Sequence, residues 1–134
     1  MVISFLTFGT EFRKNEFADV VTEALAVLFP NDPPRFMARI PHGYHDVEQI
    51  RQELKAAGFT NVLIEAVDGK SKAPSPRDPA VAYCQGTPLR NEIVARDASR
   101  LEEATQKAAE ALARRFGTGA IEGRIRAYVL TAAR

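Results

Sequence analysis

An α/β fold is the fold class that this 134-residue chain predicts, for two reasons. Short apolar runs rich in β-branched and aromatic residues alternate with segments of helical apolar spacing, up to a last strand near residue 130. The first run, residues 2–8, directly follows Met1 and has the composition of a buried parallel strand, which an earlier crossover helix normally precedes. We therefore expect one domain that forms the second half of a larger α/β fold.

The composition indicates a folded cytoplasmic protein. Hydrophobic residues make up 46% of the chain and the net charge is +1, with Lys and Arg scattered along it, which disfavours a nucleic-acid partner. Cys84 is the single cysteine, so no intramolecular disulfide forms, in keeping with a reducing compartment. No apolar stretch approaches the roughly 20 residues of a membrane span, and the N-terminus lacks the basic region of a signal peptide.

The first strand is expected to close at Gly9 and Thr10 and to lead into a helix. Asn15 can cap that helix, whose apolar residues recur at helical spacing until Pro30. Four prolines between residues 30 and 41 favour an irregular surface connection from Asn31 to Pro41.

A second helix and a second strand follow this connection. Asp46 and Gln49 resemble a capping box, and Gly58 is a typical C-terminal stop, so a helix is expected between them. Residues 59–67 then have the composition of a strand.

Proline and glycine also divide the second half of the chain. Asp78 with Pro79 predicts a short helix to about Gln85, and Thr87 with Pro88 repeats the same helix-start pattern. A longer amphipathic helix is expected over residues 97–116, before the last strand at residues 121–132.

Three glycines, Gly117, Gly119 and Gly123, invite comparison with a dinucleotide-binding fingerprint. That fingerprint needs a strand before the glycines and a helix after them, so that the phosphate meets the helix N-terminus. The order here is reversed and the spacing is one residue too long. A helix stop followed by a flexible strand entry is the better interpretation.

The densest group of polar and aromatic side chains lies on the loop that enters the second helix. Arg39, His42, Tyr44 and His45 surround Pro41 and Gly43 there, and functional residues concentrate on such loops. Two interpretations remain open, ligand contact or a structural role at the helix N-terminus.

Other kinds of site find little support. The two histidines lack a third ligand at matching spacing, which disfavours a metal site. Cys84 has no basic neighbour in the sequence, which favours a structural thiol. No serine lies in a nucleophile-elbow context, and no phosphate-binding P-loop is present.

Four segments in order, "RIPHGYHD", "LKAAGFTNVLIEAV", "QGTPLRNEI" and "ALARRFGTG", give the chain a family resemblance. It resembles the C-terminal half of class I S-adenosylmethionine-dependent methyltransferases, and most closely the small-molecule group related to the ubiquinone and menaquinone C-methyltransferases. The likeness runs from Val2 to Ala132 and implies a partial Rossmann-like fold with a three-stranded mixed sheet. In that sheet the first two strands are parallel, the last lies antiparallel between them, and helices cover the substrate.

The resemblance also implies that the cofactor and the substrate are bound by different halves of the family fold. S-adenosylmethionine is the cofactor of the parent family, but the half with the cofactor-binding Gly-rich turn is absent here, so no cofactor is expected for the isolated chain. By resemblance, Arg39, His42, Tyr44 and Arg90 are substrate-pocket residues, and none is called catalytic. The family usually carries a Trp-Asp pair after its fifth strand, where this chain has residues 9–12, Gly-Thr-Glu-Phe.

Two functions are therefore expected from the sequence. The first is the substrate-side portion of a small-molecule methyltransferase, inactive as the isolated chain. The second is a non-catalytic binding or dimerisation module derived from such an enzyme. In either case the first strand lacks its family neighbour, and we expect it to pair with a second copy in a homodimer.

Overall fold

A computed structural model describes residues 1–7 and 12–134 of the chain. The elements in chain order are β1 (Val2–Thr7), α1 (Glu16–Leu28), α2 (Phe36–Arg39), α3 (Val47–Ala56), β2 (Asn61–Ala73), α4 (Arg77–Gly86), α5 (Leu89–Asp97), α6 (Leu101–Phe116) and β3 (Ile121–Ala133). Short 3₁₀ turns at Phe12–Lys14 and Ala98–Arg100 precede α1 and α6. None of the helices in these ranges is long and apolar enough to cross a membrane.

The three strands form one sheet in the order β1-β3-β2, with β3 antiparallel to both neighbours. β1 and β2 consequently run in the same direction. Pairing with β1 extends from Val2↔Ala133 to Thr7↔Tyr128, and pairing with β2 extends from Asn61↔Ala133 to Ala73↔Ile121. The expected α/β class, the strand order and the direction of the last strand are confirmed, although every pair of neighbouring strands is antiparallel.

Helices cover the two faces of the sheet at opposite ends. Gly123 and Ala127 face α1, where the Phe17 ring packs edge-on against Phe116 at a centroid distance of 5.2 Å. Leu130, on the alternate face of β3, is fully buried, as is Ile50 of α3. The main core lies between α1, α4, α5 and α6, and its fully buried side chains include Val21, Leu25, Cys84, Leu89, Ile93, Ala108 and Leu112.

Helix α2 was not expected within the proline-rich segment. The prolines flank it rather than interrupt it, because Pro33 and Pro34 precede the helix and Pro41 follows it. Proline is compatible with the approach to a helix and with its end, and it breaks only the interior. The expectation that the whole segment is irregular is therefore wrong for residues 36–39.

Two side chains at helix starts behave differently. Asp46 accepts hydrogen bonds from the N–H groups of Glu48 and Gln49, which confirms its capping role. The Gln49 side chain donates to Glu53, so the reciprocal bond of a capping box does not form. Asn15 precedes α1 without a side-chain cap, because its Oδ1 atom accepts from the Arg126 N–H of β3.

Two boundaries also differ from expectation. β2 continues past Val67 to Ala73, since β3 pairs with it along its whole length despite the weak strand propensity of Gly69. The long last helix begins at Leu101 rather than Asp97. The Asp97 carboxylate accepts from the Ser99 N–H and so starts the 3₁₀ turn instead. Phe8 and the Gly9–Glu11 stretch lie outside the described residues.

Candidate functional site

Hydrogen bonds to one carboxylate connect helix α2 to helix α5. Glu92 of α5 accepts a hydrogen bond from the Arg35 backbone N–H at 2.9 Å, just before α2 begins. Its other oxygen accepts from the Arg39 guanidinium at 2.6 Å, at the end of α2. The carboxylate thus satisfies one free N–H of the helix start and holds the Arg39 side chain.

A second α5 side chain holds the loop before α2. Arg96 donates to the Asp32 carbonyl and carboxylate, the latter at 3.0 Å, and to the Pro33 carbonyl at 3.4 Å. These contacts enclose a groove of about 670 Å³, called here the α2–α5 groove. It is lined by Asn31, Asp32, Pro33, Arg35, Arg39, Asn91, Glu92, Ala95 and Arg96.

The turn after α2 buries His42. Its backbone N–H donates to the Met37 carbonyl at 3.1 Å, and the side chain is only 7% exposed. A glycine is required next, because a Cβ at Gly43 would lie 2.1 Å from the Arg39 carbonyl oxygen. The close approach of two backbone segments therefore places His42 inside the protein.

Tyr44 lies on the other side of this turn, at the surface. Its side chain is 39% exposed and its hydroxyl donates to the Glu53 carboxylate on α3. This hydrogen bond, followed by partial desolvation and the Glu53 charge, raises the pKa of Tyr44 to about 12. The phenol therefore stays protonated at neutral pH and links the loop to α3.

The four substrate-pocket residues implied by the resemblance are not gathered on one surface. Arg39 lines the α2–α5 groove. His42 is buried under the turn, and Tyr44 contacts α3. Arg90 is exposed in the first turn of α5 and is not among the residues that line the groove, although α5 forms one of its walls. Arg39 is thus the member of the set with a clear place in a concave surface.

A second concave surface has a much stronger charge. This basic cleft has a volume of about 320 Å³. It lies between the 3₁₀ turn before α1 and the paired segments 68–70 of β2 and 124–126 of β3. It is lined by Arg13, Lys14, Asp68, Gly69, Lys70, Arg124 and Arg126. Five of these side chains are cationic and one is anionic.

The strand register explains this concentration of charge. Asp68 pairs with Arg126 across the strands, and the two side chains form a bidentate ion pair at 2.6 and 2.9 Å. In the next pair on the same face of the sheet, Lys70 lies directly opposite Arg124. Like charges in directly opposite positions repel each other. The cleft therefore contains two directly opposed cations, each of which also contacts one carboxylate, Lys70 with Glu122 and Arg124 with Glu16.

Sequence reasoning did not find the basic cleft. Its cations come from three segments that are far apart in the sequence, and each segment contributes only one or two of them. No single segment of the sequence therefore stands out as basic. The strand pairing brings them together, and β2 was expected to end before Lys70. An alternation of charges along residues 68–72 was the available signal, since it becomes informative once that segment is read as a strand.

Metal and thiol chemistry find no support in the described part of the chain. No group of three or more His, Cys, Asp or Glu side chains there could hold a metal ion. Cys84 is fully buried, and desolvation raises the pKa of its thiol to about 11. A thiol with this pKa is protonated at neutral pH, which agrees with the expected structural role.

Comparison with models of protein families gives no match, and a search of curated proteins gives no match either.

The cofactor implied by the resemblance does not fit the basic cleft. S-adenosylmethionine carries a sulfonium cation, and this cleft presents five cationic side chains around a single carboxylate.

Proposed function

We propose that this chain is the substrate-side portion of an S-adenosylmethionine-dependent small-molecule methyltransferase and is inactive in isolation. The observation that carries the proposal is the strand order β1-β3-β2, with the last strand antiparallel between two parallel strands. The family resemblance implies this same arrangement for the end of the sheet. This agreement between the strand order and the arrangement that the resemblance implies supports the proposal.

The α2–α5 groove is the acceptor surface in this proposal. Its volume of about 670 Å³ lies in the range of small-molecule sites, about 300–1,000 Å³. Arg39 is held there by Glu92 but remains 62% exposed at its side chain. The guanidinium is therefore oriented and still accessible to a polar group of an acceptor.

Cofactor binding lies outside these 134 residues in this proposal. Methyl transfer depends on holding the sulfonium methyl group in line with the acceptor, which requires a cofactor site beside the groove. The role of the present residues is to bind and orient the acceptor.

Two-dimensional NMR of the isolated chain tests the proposal, with a series of soluble phenols and naphthols and with S-adenosylmethionine. We expect saturable shifts in residues 31–39 and 91–96 with at least one phenol or naphthol, and none with S-adenosylmethionine. Arg39→Ala should weaken the shifts, whereas Lys107→Ala on α6 should leave them unchanged. Micromolar binding of S-adenosylmethionine, or no shift with any phenol or naphthol, would contradict the proposal.

A second candidate function is a dimerisation module, and exposed apolar side chains favour it. Val2, Leu63 and Val67 are 66%, 56% and 50% exposed and lie on the same face of the sheet. β1 also has β3 on one side only within the described residues, so its outer edge offers backbone hydrogen-bonding groups to another strand. The expected homodimer through β1 remains a prediction, and its test is given in the Discussion.

A further inference from the structure

We propose that the basic cleft binds the phosphate group of a small soluble ligand, seated over Lys70 and Arg124. The inference is independent of the methyltransferase proposal, because it rests on the strand register and the charges of this cleft. It assigns a binding site to a part of the chain that the α2–α5 groove does not include.

The first argument is the charge sequence along the paired strands. Three consecutive cross-strand pairs on one face are Asp68 with Arg126, Lys70 with Arg124, and Lys72 with Glu122. The outer two pairs are complementary, whereas the central pair has two positive charges. A bound anion over that pair would convert a repulsion into two favourable contacts.

The second argument is that nearby carboxylates do not neutralise the cations. Glu122 is shared between Lys70 at 2.6 Å and Lys72 at 3.6 Å. Glu16 is shared between Arg115 at 3.2 Å and Arg124 at 3.6 Å. Arg115 also contacts Asp19 at 3.9 Å, so three carboxylates face these four cations and one positive charge remains in excess.

The 3₁₀ turn adds two further cations from above the strands. Arg13 and Lys14 both line the cleft, and neither forms an ion pair within the described residues. They give the cleft two walls of the same charge, one from the turn and one from the strands. A ligand between the two walls contacts cations on both sides, whereas a ligand on a flat surface would contact them on one side only.

The third argument concerns how firmly the cationic side chains are held in place. The Arg126 side chain is only 28% exposed, and the Asp68 carboxylate fixes its guanidinium by two hydrogen bonds. Lys70 and Arg124 project from a paired two-stranded segment rather than from a loop. The Arg126 guanidinium is therefore already ordered, whereas Lys70 and Arg124, 63% and 80% exposed at their side chains, must be ordered when the ligand binds.

The chemical class of the ligand follows from size and charge. A volume of about 320 Å³ lies at the lower end of the range for small-molecule sites. Five cations, three of them guanidinium groups, match the multiple oxygens of a phosphate or diphosphate better than a single carboxylate. An extended nucleic acid is disfavoured, since Asp68, Glu122 and Glu16 interrupt the positive surface around the cleft.

Calorimetric titration of the intact chain with inorganic pyrophosphate, at physiological salt, tests the site. We expect saturable binding and an increase in thermal stability with pyrophosphate concentration. Arg124→Gln should weaken binding by about tenfold, equivalent to about 1.4 kcal/mol. The same change removes both the repulsion with Lys70 and the 3.6 Å contact with Glu16, so the stability without ligand should change by less than about 1 kcal/mol.

Two further variants make the test specific. Lys14→Gln, on the separate 3₁₀ turn, should weaken binding to a similar extent, whereas Lys107→Gln on α6 should have no effect. Absence of saturable binding would overturn the proposal, as would equal weakening by Lys107→Gln. Binding to phosphatidylglycerol vesicles that pyrophosphate does not displace would overturn the assignment to a soluble ligand.

Discussion

The Glu16 carboxylate accepts a hydrogen bond from the backbone N–H of Arg124 at 2.6 Å. Two residues along β3, the Arg126 N–H donates to the Asn15 side chain at 3.3 Å. β2 occupies the other edge of β3 over this stretch, so both N–H groups lie on the β1 side, past the last β1 pair at Tyr128. Side-chain oxygens at the start of α1 thus continue the hydrogen bonding of β3 where β1 ends.

Replacing Glu16 by alanine should destabilise the fold. The change leaves the Arg124 N–H without its acceptor and removes the charge that faces Arg115, so a loss of about 1–3 kcal/mol is expected. Glu16→Gln keeps an acceptor oxygen and should cost less. Urea unfolding measures both, with Glu48→Ala, an exposed α3 variant, as the control. Equal stability of Glu16→Ala and the wild type would show that the hydrogen bond contributes nothing.

The same carboxylate should make stability depend on pH. The Arg124 N–H, assisted by Arg115, holds the pKa of Glu16 below its ordinary value of 4.5. Its stabilising contribution is therefore present above pH 4.5 and is lost as the pH falls through the lower folded-state pKa. The difference in unfolding free energy between wild type and Glu16→Gln should shrink over that acidic range. A difference that stays constant with pH would contradict this linkage.

Gly123→Ala should disturb the packing of α1 on β3. A Cβ at this position would lie 2.8 Å from two atoms of the buried Phe17 ring, so the ring or the strand must move. Overpacking of this kind costs about 1–3 kcal/mol. Gly119→Ala is the matched control, because its Cβ meets nothing within 4 Å. Thermal or urea unfolding of the pair should separate them, and equal effects would mean that Phe17 adapts without cost.

Cys84 should react with thiol reagents only when the core opens. The side chain is fully buried and burial raises its pKa to about 11, so both access and thiolate formation are restricted. Labelling of the native chain with a disulfide reagent should be slow, and labelling in denaturant should be rapid. Because Cys84 is the only cysteine, the signal is unambiguous. Fast labelling under native conditions would argue against this packing of α4.

The β1 edge should support a homodimer at low micromolar concentration. Val2 is 66% exposed at this edge, and Val2→Lys places a charge where a second copy would pair. We expect light scattering to give a dimer for the wild type and a monomer for Val2→Lys. Val27→Lys, at an 82% exposed position on α1, should remain dimeric. A monomeric wild type would refute the dimer.

The sequence predicted the ends of the second helix well, but it did not predict which charged side chains the fold brings together. The Asp46 cap and the stop at Gly58, whose φ is +90°, follow from the chemistry of one or two residues. The strand order followed from the family resemblance rather than from periodicity. The opposition of Lys70 and Arg124 depends on strand register over a separation of more than fifty residues, which no local pattern encodes.

The candidate acceptor surface was predicted in part. Arg39 was identified from the loop composition, and it lines the groove. Its partner Glu92 was missed, because the contact joins α2 to a helix that follows only after the intervening strand. For His42 the sequence left ligand contact and a structural role open, and its burial beside the tight turn at Gly43 depends on tertiary packing that residue type does not encode.

The order of the strands has a consequence for how the chain acquires its structure during synthesis. Every sheet hydrogen bond among the described residues involves β3, which comes later in the chain than both of its neighbours. β1 and β2 therefore cannot form their pairs with β3 until residues 121–133 leave the ribosome. The helices between β2 and β3 can form earlier from local contacts, whereas closing the sheet requires long loops to be ordered. Formation of this sheet should end with the insertion of β3 as a single central strand between β1 and β2.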